Sequence, residues 1–368
     1  MKILAAVARR PLNPFSIEEV EFPEPDEDEI LVKIVGVGLC HSDLACRDRL
    51  VPVPVPSILG HEGAGIVEKV GSRVTKVVPG DHVVLTFASC GSCGRCQSDQ
   101  PAYCLRFNDY NFSANPEMER KATGEDGSPV YLRFFGQSSF AQYALSGERN
   151  TVKVRKDVPL KILGPLGCGV QTGAGTVINS LKAQPGSTIA IFGAGSVGLS
   201  VVLGAVVSGC SRIIAVDVLA SRLEMARSLG ATDTINASTE RDLAQGVRDI
   251  VPGGVDYLVE TTAIPDLIRQ AADSLGRHGT LGLVGIPDPQ SEVSLNILQM
   301  LRQRLCIRSF IEGDSIPDLF IPQLIELYLQ GRFPFDRLLS FYPFEQLNQA
   351  IVDQQAGKII KPVLEIAA

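Results

Sequence analysis

The 368-residue chain has no apolar run near the roughly 18–20 residues that span a bilayer. It also has no block of lysine and arginine that would form a basic footprint for nucleic acid. Its 34 basic and 41 acidic residues leave a formal charge of −7, so neither membrane nor nucleic acid is an expected partner. No solenoid period is present. At 45% hydrophobic and 20% charged residues, with 35 Gly and 23 Pro, collagen-like, coiled-coil and wholly disordered chains are excluded. Charge of one sign concentrates in Glu24-Pro25-Asp26-Glu27-Asp28-Glu29, which reads as a solvated loop. In Met1–Arg10 the basic pair follows a short apolar stretch, which reads as a first strand rather than a signal peptide. A cytoplasmic location is the expectation.

Cysteine is the informative count. There are nine, an odd number, and four crowd into positions 90–104. In a reducing compartment such clustering points to metal ligation rather than disulfides.

The length suits two domains. Residues 1–90 read as short β-branched runs broken by turns, with Leu31–Val35 and Gly65–Val70 the clearest strands. Val51-Pro52-Val53-Pro54-Val55-Pro56 reads as an extended surface segment, because proline offers no ladder donor. Residues 105–133 read as a long loop. From about 170 strands and helices alternate, beginning with Thr188–Phe192 and a helix over 197–208, and this predicts a parallel, doubly wound sheet. A helix over about 345–356 and a strand over 359–364 end the chain, and this tail is expected to fold back onto the head. The expected division is 1–170 with 311–368, flanking 171–310.

Gly193-Ala194-Gly195-Ser196-Val197-Gly198 follows a strand and opens a helix, the context in which G-x-G-x-x-G cradles a pyrophosphate on helix N-terminal amides. Asp217, 19 residues after Gly198, ends the next strand; an acid there accepts from ribose hydroxyls and repels a 2′-phosphate, favouring NAD. Arg222 is either a further ribose or phosphate contact or a solvated helix residue.

Cys90-x2-Cys93-x2-Cys96-x7-Cys104 places four thiols in one loop, a set that closes a tetrahedral zinc shell and so would be structural. A disulfide pair or free thiols are the alternatives. A second set is dispersed: Cys40, His61 and Cys168. Two thiolates and one imidazole leave a fourth position open, as catalytic zinc requires, although spacing alone does not bring them together. Cys46, Cys210 and Cys306 read as buried apolar residues.

Cys40-His41-Ser42-Asp43, Gly60-His61-Glu62-Gly63-Ala64-Gly65, the Cys90–Cys104 cluster, Gly167-Cys168-Gly169 and the Gly193–Gly198 turn occur in an order that resembles zinc-dependent medium-chain alcohol dehydrogenases over essentially the whole chain. Gly164 to Gly175 looks most like the aryl-alcohol (benzyl alcohol) dehydrogenases. The resemblance implies an α/β protein with a GroES-like β-rich catalytic domain and a Rossmann NAD-binding domain. It implies NAD and two zinc ions per subunit, with Cys40, His61 and Cys168 as catalytic ligands. Ser42 looks like the hydroxyl that takes the substrate proton, Asp43 like the carboxylate that fixes a ligand imidazole, and Glu62 like an acidic residue close to zinc. His41 and Lys361 match positions that contact the cofactor pyrophosphate. Thr172 matches a residue beside nicotinamide, and Val284 and Ile286 the strand end near the carboxamide. Phe87, Phe134 and Phe135 fall near substrate-channel positions, with Tyr110 and Phe112 at the rim or stapling the loop. Some members carry a proton-relay histidine where this chain has Ala45.

The implied activity is reversible oxidation of a primary, aromatic (benzyl-type) alcohol to its aldehyde by NAD, in a homo-oligomer, dimer or tetramer. A medium-chain aliphatic or allylic alcohol dehydrogenase and a glutathione-dependent formaldehyde dehydrogenase are neighbouring readings. A dinucleotide-binding structural or regulatory protein is the non-enzyme alternative.

Overall fold

The computed structural model describes residues 1–112 and 119–366. The chain divides into two compact units: Met1–Cys168 with Ile316–Gln323 and Leu339–Ala368, and Gly169–Ser315 with Leu324–Leu338. No helix among the described residues is long and apolar enough to cross a membrane.

The first unit is β-rich. Its seven-stranded sheet centres on Glu29–Gly38, whose Ile, Leu and Val side chains are buried almost throughout. That strand pairs antiparallel with Gly63–Val70 and with Tyr143–Gly147. The C-terminal strand Lys361–Glu365 joins the same strand, with Val363 opposite Gly38, so the tail completes a sheet begun by the head. A small closed barrel is formed by Lys2–Ala8, Ser16–Glu21, Lys121–Gly124, Pro129–Tyr131 and Ser57–Ile58.

The second unit holds a six-stranded, all-parallel sheet in the order Asp233–Asn236, Arg212–Asp217, Thr188–Phe192, Val255–Glu260, Leu275–Leu283, Cys306–Ser309. Thr188–Phe192 is a near-continuous buried run, as a strand covered on both faces must be. The strand order reverses beside it, and the glycine-rich turn follows it directly, where open α/β sheets bind ligands. This is the two-domain α/β architecture that the sequence implies.

Four expectations change. Residues 105–133 are not one loop: they contain the helix Phe107–Asn111 and two barrel strands, Lys121–Gly124 and Pro129–Tyr131. Those strands are three or four residues long and polar on one side, too short for alternation to show. Second, 311–315 and 324–338 belong with the second unit, and the boundary falls inside the helix Pro317–Leu329, next to Pro322. Third, the acidic stretch is not wholly solvated. Glu29 is 1% exposed and accepts from Arg133 at 2.7 Å, Arg120 at 2.9 Å and the Asp26 amide at 2.9 Å. Its burial follows from opening the central strand. Fourth, Cys306 is exposed on the sheet-edge strand and Cys210 is half-buried, whereas Cys46 is buried as expected.

Candidate active site and metal centres

The loop after His82–Leu85 curls the four clustered cysteines together. Their sulfurs all lie within 4.8 Å of one another. Cys90 Sγ and Cys96 Sγ are 3.9 Å apart. A disulfide needs about 2.05 Å, whereas tetrahedral zinc with bonds of about 2.3 Å separates its sulfurs by about 3.8 Å. The spacing therefore fits a metal shell and not a disulfide. Backbone amides already point at the sulfurs: Cys93 donates to Cys90 Sγ and Cys90 to Cys104 Sγ, each at 3.3 Å, and Arg106 to Cys104 Sγ at 3.4 Å. Burial raises the Cys90 thiol, but the Ser92 and Cys93 amides outweigh it and bring Cys90 down to about 6. Burial pushes Cys104 up to about 12.

The dispersed set also converges. Cys40 caps the helix His41–Arg47, His61 leads into the strand Gly63–Val70, and Cys168 follows the turn Gly164–Gly167. One ligand atom each from Cys40, His61, Glu62 and Cys168 lies within 4.8 Å of the others. Asp43 organises this centre from full burial. Its Oδ2 accepts from the Cys40 amide at 2.9 Å, while Oδ1 accepts from the Gly60 amide at 3.1 Å and lies 2.8 Å from His61 Nδ1. With Nδ1 held, Nε2 is left buried and without a hydrogen-bond partner among the described residues. An orphaned imidazole nitrogen beside two thiols is costly unless a cation takes its lone pair. The donor set fits zinc. Contact with Cys168 holds Cys40 well below the usual thiol range. Burial lowers His61, but the Asp43 carboxylate outweighs it and leaves the imidazole well above its usual value.

Glu62 and Lys361 form a buried pair, with Lys361 Nζ 2.6 Å from Glu62 Oε1 and 3.0 Å from the Leu39 carbonyl. Burial pushes Glu62 up to about 7, and the ammonium restrains the rise. Lys361 is 1% exposed, and its ammonium is engaged by Glu62. His41 is exposed at the helix start, and Ser42 Oγ lies 3.8 Å from Cys40 Sγ.

The three phenylalanines join one aromatic cluster, and Phe87 also lines a small cavity beside Pro101 and Arg149. Phe135 stacks on the His61 ring at 4.4 Å and Phe134 meets its edge at 5.3 Å. Phe112 and Phe107 extend the cluster, and Phe87 packs on Phe107 at 6.0 Å. All three expected pocket residues are buried. Apolar rings next to a desolvated imidazole gain more from packing than from exposure. Tyr110 sits beneath the Arg106 guanidinium.

In the second unit, the turn Gly193–Gly198 leads from Thr188–Phe192 into the helix Ser196–Val207. Gly193 has φ of +92°, and a Cβ on Gly198 would lie 1.8 Å from the Gly193 carbonyl, so strand and helix meet too closely for a side chain. Asp217 ties its strand to this turn: Oδ2 accepts from the Ala194 amide at 2.7 Å and Oδ1 from the Leu219 amide at 2.9 Å. Arg222 Nη1 is 3.7 Å from Asp217 Oδ2, so the structure pairs these two residues. Val284 donates its amide to the Glu260 carbonyl, and Ile286 is exposed beyond the strand end. Thr172 lies in the helix Gly169–Gly175, its hydroxyl 3.3 Å from Glu312 Oε2.

Two residues carry no signal in the sequence. Gln137, fully buried, donates to the carbonyls of His61 and Thr86 and accepts from the Gly63 amide and Ser139 hydroxyl, which locks the backbone that carries His61. Glu312 belongs to no motif, yet it receives both Gln171 and Thr172. A single Gln or Glu among unrelated neighbours has no spacing to betray it.

Residues 26–156 match the alcohol dehydrogenase GroES-like domain, and 196–329 match the zinc-binding dehydrogenase domain. The chain is 44% identical over 361 residues to a geraniol dehydrogenase of Castellaniella defragrans, covering 98% of this chain and 96% of that protein. It superposes on an alcohol dehydrogenase zinc-binding domain protein from Burkholderia ambifaria with a TM-score of 0.97 at 49% identity, covering 100% of each chain. A benzyl alcohol dehydrogenase from Acinetobacter calcoaceticus gives 0.94 at 45% identity, again covering 100% of each. With matched domains at both ends, full-length relatives and two thiolate centres whose geometry accepts zinc, the chain belongs to the zinc-binding medium-chain alcohol dehydrogenase family.

Proposed function

We propose that this zinc alcohol dehydrogenase uses NAD to oxidise, reversibly, a hydrophobic primary alcohol whose carbinol carbon adjoins an sp2 carbon, benzylic or allylic. The observation that carries the substrate class is the aromatic cluster in which Phe134 and Phe135 pack on His61 and Phe112 and Phe107 extend from them. Apolar rings there favour a bulky planar substrate over a small wet one. The named activities of two relatives, on geraniol and on benzyl alcohol, share that chemistry and support the reading.

Cys40, His61 and Cys168 are the residues that would hold the catalytic zinc, and Cys90, Cys93, Cys96 and Cys104 the structural one. When bound, zinc supplies Lewis acidity that eases loss of the alcohol proton, and nicotinamide accepts the hydride. The chain's own part is positional. Asp43 Oδ1 keeps the His61 proton on Nδ1, which commits Nε2 to the metal side. Ser42 Oγ, beside Cys40, takes the proton from the substrate hydroxyl as it gives its own to a cofactor ribose hydroxyl and so to water, since Ala45 offers no relay histidine. Phe134 and Phe135 exclude water from the imidazole. The Gly193–Gly198 turn and the first amides of its helix hold the pyrophosphate, and Asp217 takes the adenosine ribose, a placement that disfavours a 2′-phosphate.

We also propose a homo-oligomer. Cys306–Ser309 is an edge strand among the described residues, and Ile297, Leu298 and Leu301 nearby in sequence are exposed. Light scattering reads this directly.

A panel of alcohols with NAD and NADP tests the activity. Benzyl alcohol, geraniol and cinnamyl alcohol should exceed ethanol in kcat/KM by about a hundredfold or more, with NAD preferred. Ethanol or S-hydroxymethylglutathione as the best substrate would overturn the substrate class; NADP preference would overturn the role of Asp217.

A further inference from the structure

Beside the four-cysteine loop lies a cavity of about 500 Å3, reached by four arginines, Arg73, Arg106, Arg133 and Arg149, and by two carboxylates, Asp28 and Glu148. Cys90 itself lines it. Such a set suggests an anion site, but the charges are already assigned, with one exception. Arg133 is 2.7 Å from Glu29, Arg106 is 3.3 Å from Asp109, and Arg73 is 3.5 Å from Glu27. Glu148 is taken up by the backbone of Thr75 and Lys76. Arg149 alone among the four has no carboxylate within salt-bridge reach among the described residues. Its Nε donates to Ser89 Oγ at 3.2 Å.

Where the guanidinium goes instead is decided by Gly91. A Cβ built on Gly91 would sit 2.7 Å from Arg149 Nη1 and 2.8 Å from its Cζ. The planar group therefore lies flat against the backbone between Cys90 and Ser92, in the space a side chain would fill, and is fastened one residue before Cys90 by Ser89. A divalent zinc with four thiolates carries a formal charge of about −2. A centre of that charge, half-exposed in the loop against which Arg149 lies, would supply the anionic partner that its guanidinium lacks among the described residues.

We propose that Arg149 is the counter-charge and clamp of the four-cysteine metal centre: its guanidinium offsets the thiolate charge while its contacts with Gly91 and Ser89 hold the loop closed. This rests on that centre holding zinc. It assigns Arg149 a positioning role toward the metal and none in the reaction.

The test uses zinc-loaded enzyme with a metal count of two per chain, mixed with a chromogenic chelator in excess. Release of the catalytic ion is read by the parallel loss of activity; the phase without activity loss belongs to the four-cysteine centre. In Arg149→Met, which keeps the aliphatic packing and removes the charge, that phase should run about tenfold faster, while the activity-linked phase and the fresh kcat/KM stay unchanged. Arg149→Lys should fall within about twofold of wild type, and raising the salt from 0.05 to 0.5 M should shrink the gap between wild type and Arg149→Met. Thermal melting of each variant checks that it is folded, and Arg149→Gln replaces Arg149→Met if the latter is not. Release at the wild-type rate in the neutral variants overturns the proposal. So does equal acceleration in Arg149→Lys and Arg149→Met, which would leave shape and not charge as the cause. A wild-type four-cysteine centre that takes up no zinc overturns the metal assignment and the clamp with it; the other results overturn the clamp alone.

Discussion

The two thiolate centres are built in opposite ways. The four-cysteine centre comes from 15 consecutive residues, its sulfurs oriented by the loop's own amides and half open to solvent at Cys90 and Cys93. The Cys40, His61 and Cys168 centre gathers residues up to 128 positions apart (168 − 40) and is assembled by the sheet. There His61, Glu62 and Asp43 are fully buried, and three side chains, Asp43, Gln137 and Lys361, do the orienting. A metal bound by a local loop organises that loop; a metal bound by distant segments inherits an order the fold has already imposed. Loss of the first should cost stability, and loss of the second chemistry.

Cysteine deletion breaks or upholds this contrast with the largest effect. Cys168→Ala should lower the zinc count by one and kcat/KM by about a thousandfold, since Lewis-acid stabilisation amounts to several kcal/mol and each 1.36 kcal/mol is tenfold. Its melting temperature should fall by only about 1–3 °C, the cost of leaving the buried His61 Nε2 without a cation. Cys104→Ala should also lose one zinc, but melt more than about 5 °C lower while freshly prepared enzyme keeps most of its activity. If Cys104→Ala melts like wild type and Cys168→Ala does not, the contrast is reversed. Metal analysis, steady-state kinetics and calorimetry on the same preparations read it.

Next comes Asp43→Asn, which keeps the shape of the side chain but removes the charge behind His61. Zinc affinity at the catalytic centre should fall about 10–100-fold, the usual loss when a partner of a ligating histidine is removed. The four-cysteine centre should be untouched. Equal weakening of both centres would mean that Asp43 acts through global stability instead.

The same contrast decides which features are legible in the amino-acid sequence. The four-cysteine spacing and the glycine turn are local: loop closure or a strand-turn-helix writes itself into ten or fifteen residues. The parallel sheet is legible for the same reason, because buried strands such as Thr188–Phe192 and their helices alternate at regular intervals. The dispersed trio is legible only through resemblance to a family, since no periodicity links Cys40 to Cys168. The barrel strands 121–124 and 129–131 are hidden because three or four residues carry no measurable alternation. Glu29, a carboxylate in an acidic run, looks solvated because its partners Arg120 and Arg133 stand about a hundred residues away in the chain. Phe134 and Phe135 belong to the expected centre, but whether they pack on His61 or line a channel depends on ring orientation, which sequence does not carry.

Asp217 stands between the two designs, a distant residue that fastens a local turn. Asp217→Ser should raise KM for NAD about tenfold and relax the preference over NADP, because one acceptor for the ribose is lost and the repulsion of a 2′-phosphate with it. Part of any loss will be turn mobility, as the Ala194 amide also loses its acceptor. Comparing NAD with NADP separates the two: turn mobility weakens both cofactors, whereas charge removal weakens NAD and strengthens NADP. A parallel loss for both would assign Asp217 to the turn alone.

The smallest effect concerns Glu260, whose carboxylate serves only its own next turn. It ends the strand Val255–Glu260, is 1% exposed, and accepts from the amides of Thr262 at 2.7 Å and Ala263 at 2.9 Å, and from the Thr262 hydroxyl. Burial raises its pKa above the usual carboxylate value, and those donors offset only part of the rise. The folded chain thus holds this proton more tightly than the unfolded chain does. The resulting stability is fully present below the unfolded pKa of about 4.5 and is lost as pH rises through the folded value. The slope from one such group is at most about 1.4 kcal/mol per pH unit. Glu260→Gln should flatten that part of the stability curve while costing about 1 kcal/mol throughout, because an amide nitrogen then faces one of the two backbone donors. Denaturant unfolding at several pH values from 4.5 upward, followed in wild type and variant, reads both effects. A variant curve parallel to wild type would mean that the Thr262 and Ala263 donors fully compensate the buried charge, and that a local turn, like the cysteine loop, can satisfy its own anion without help from the rest of the fold.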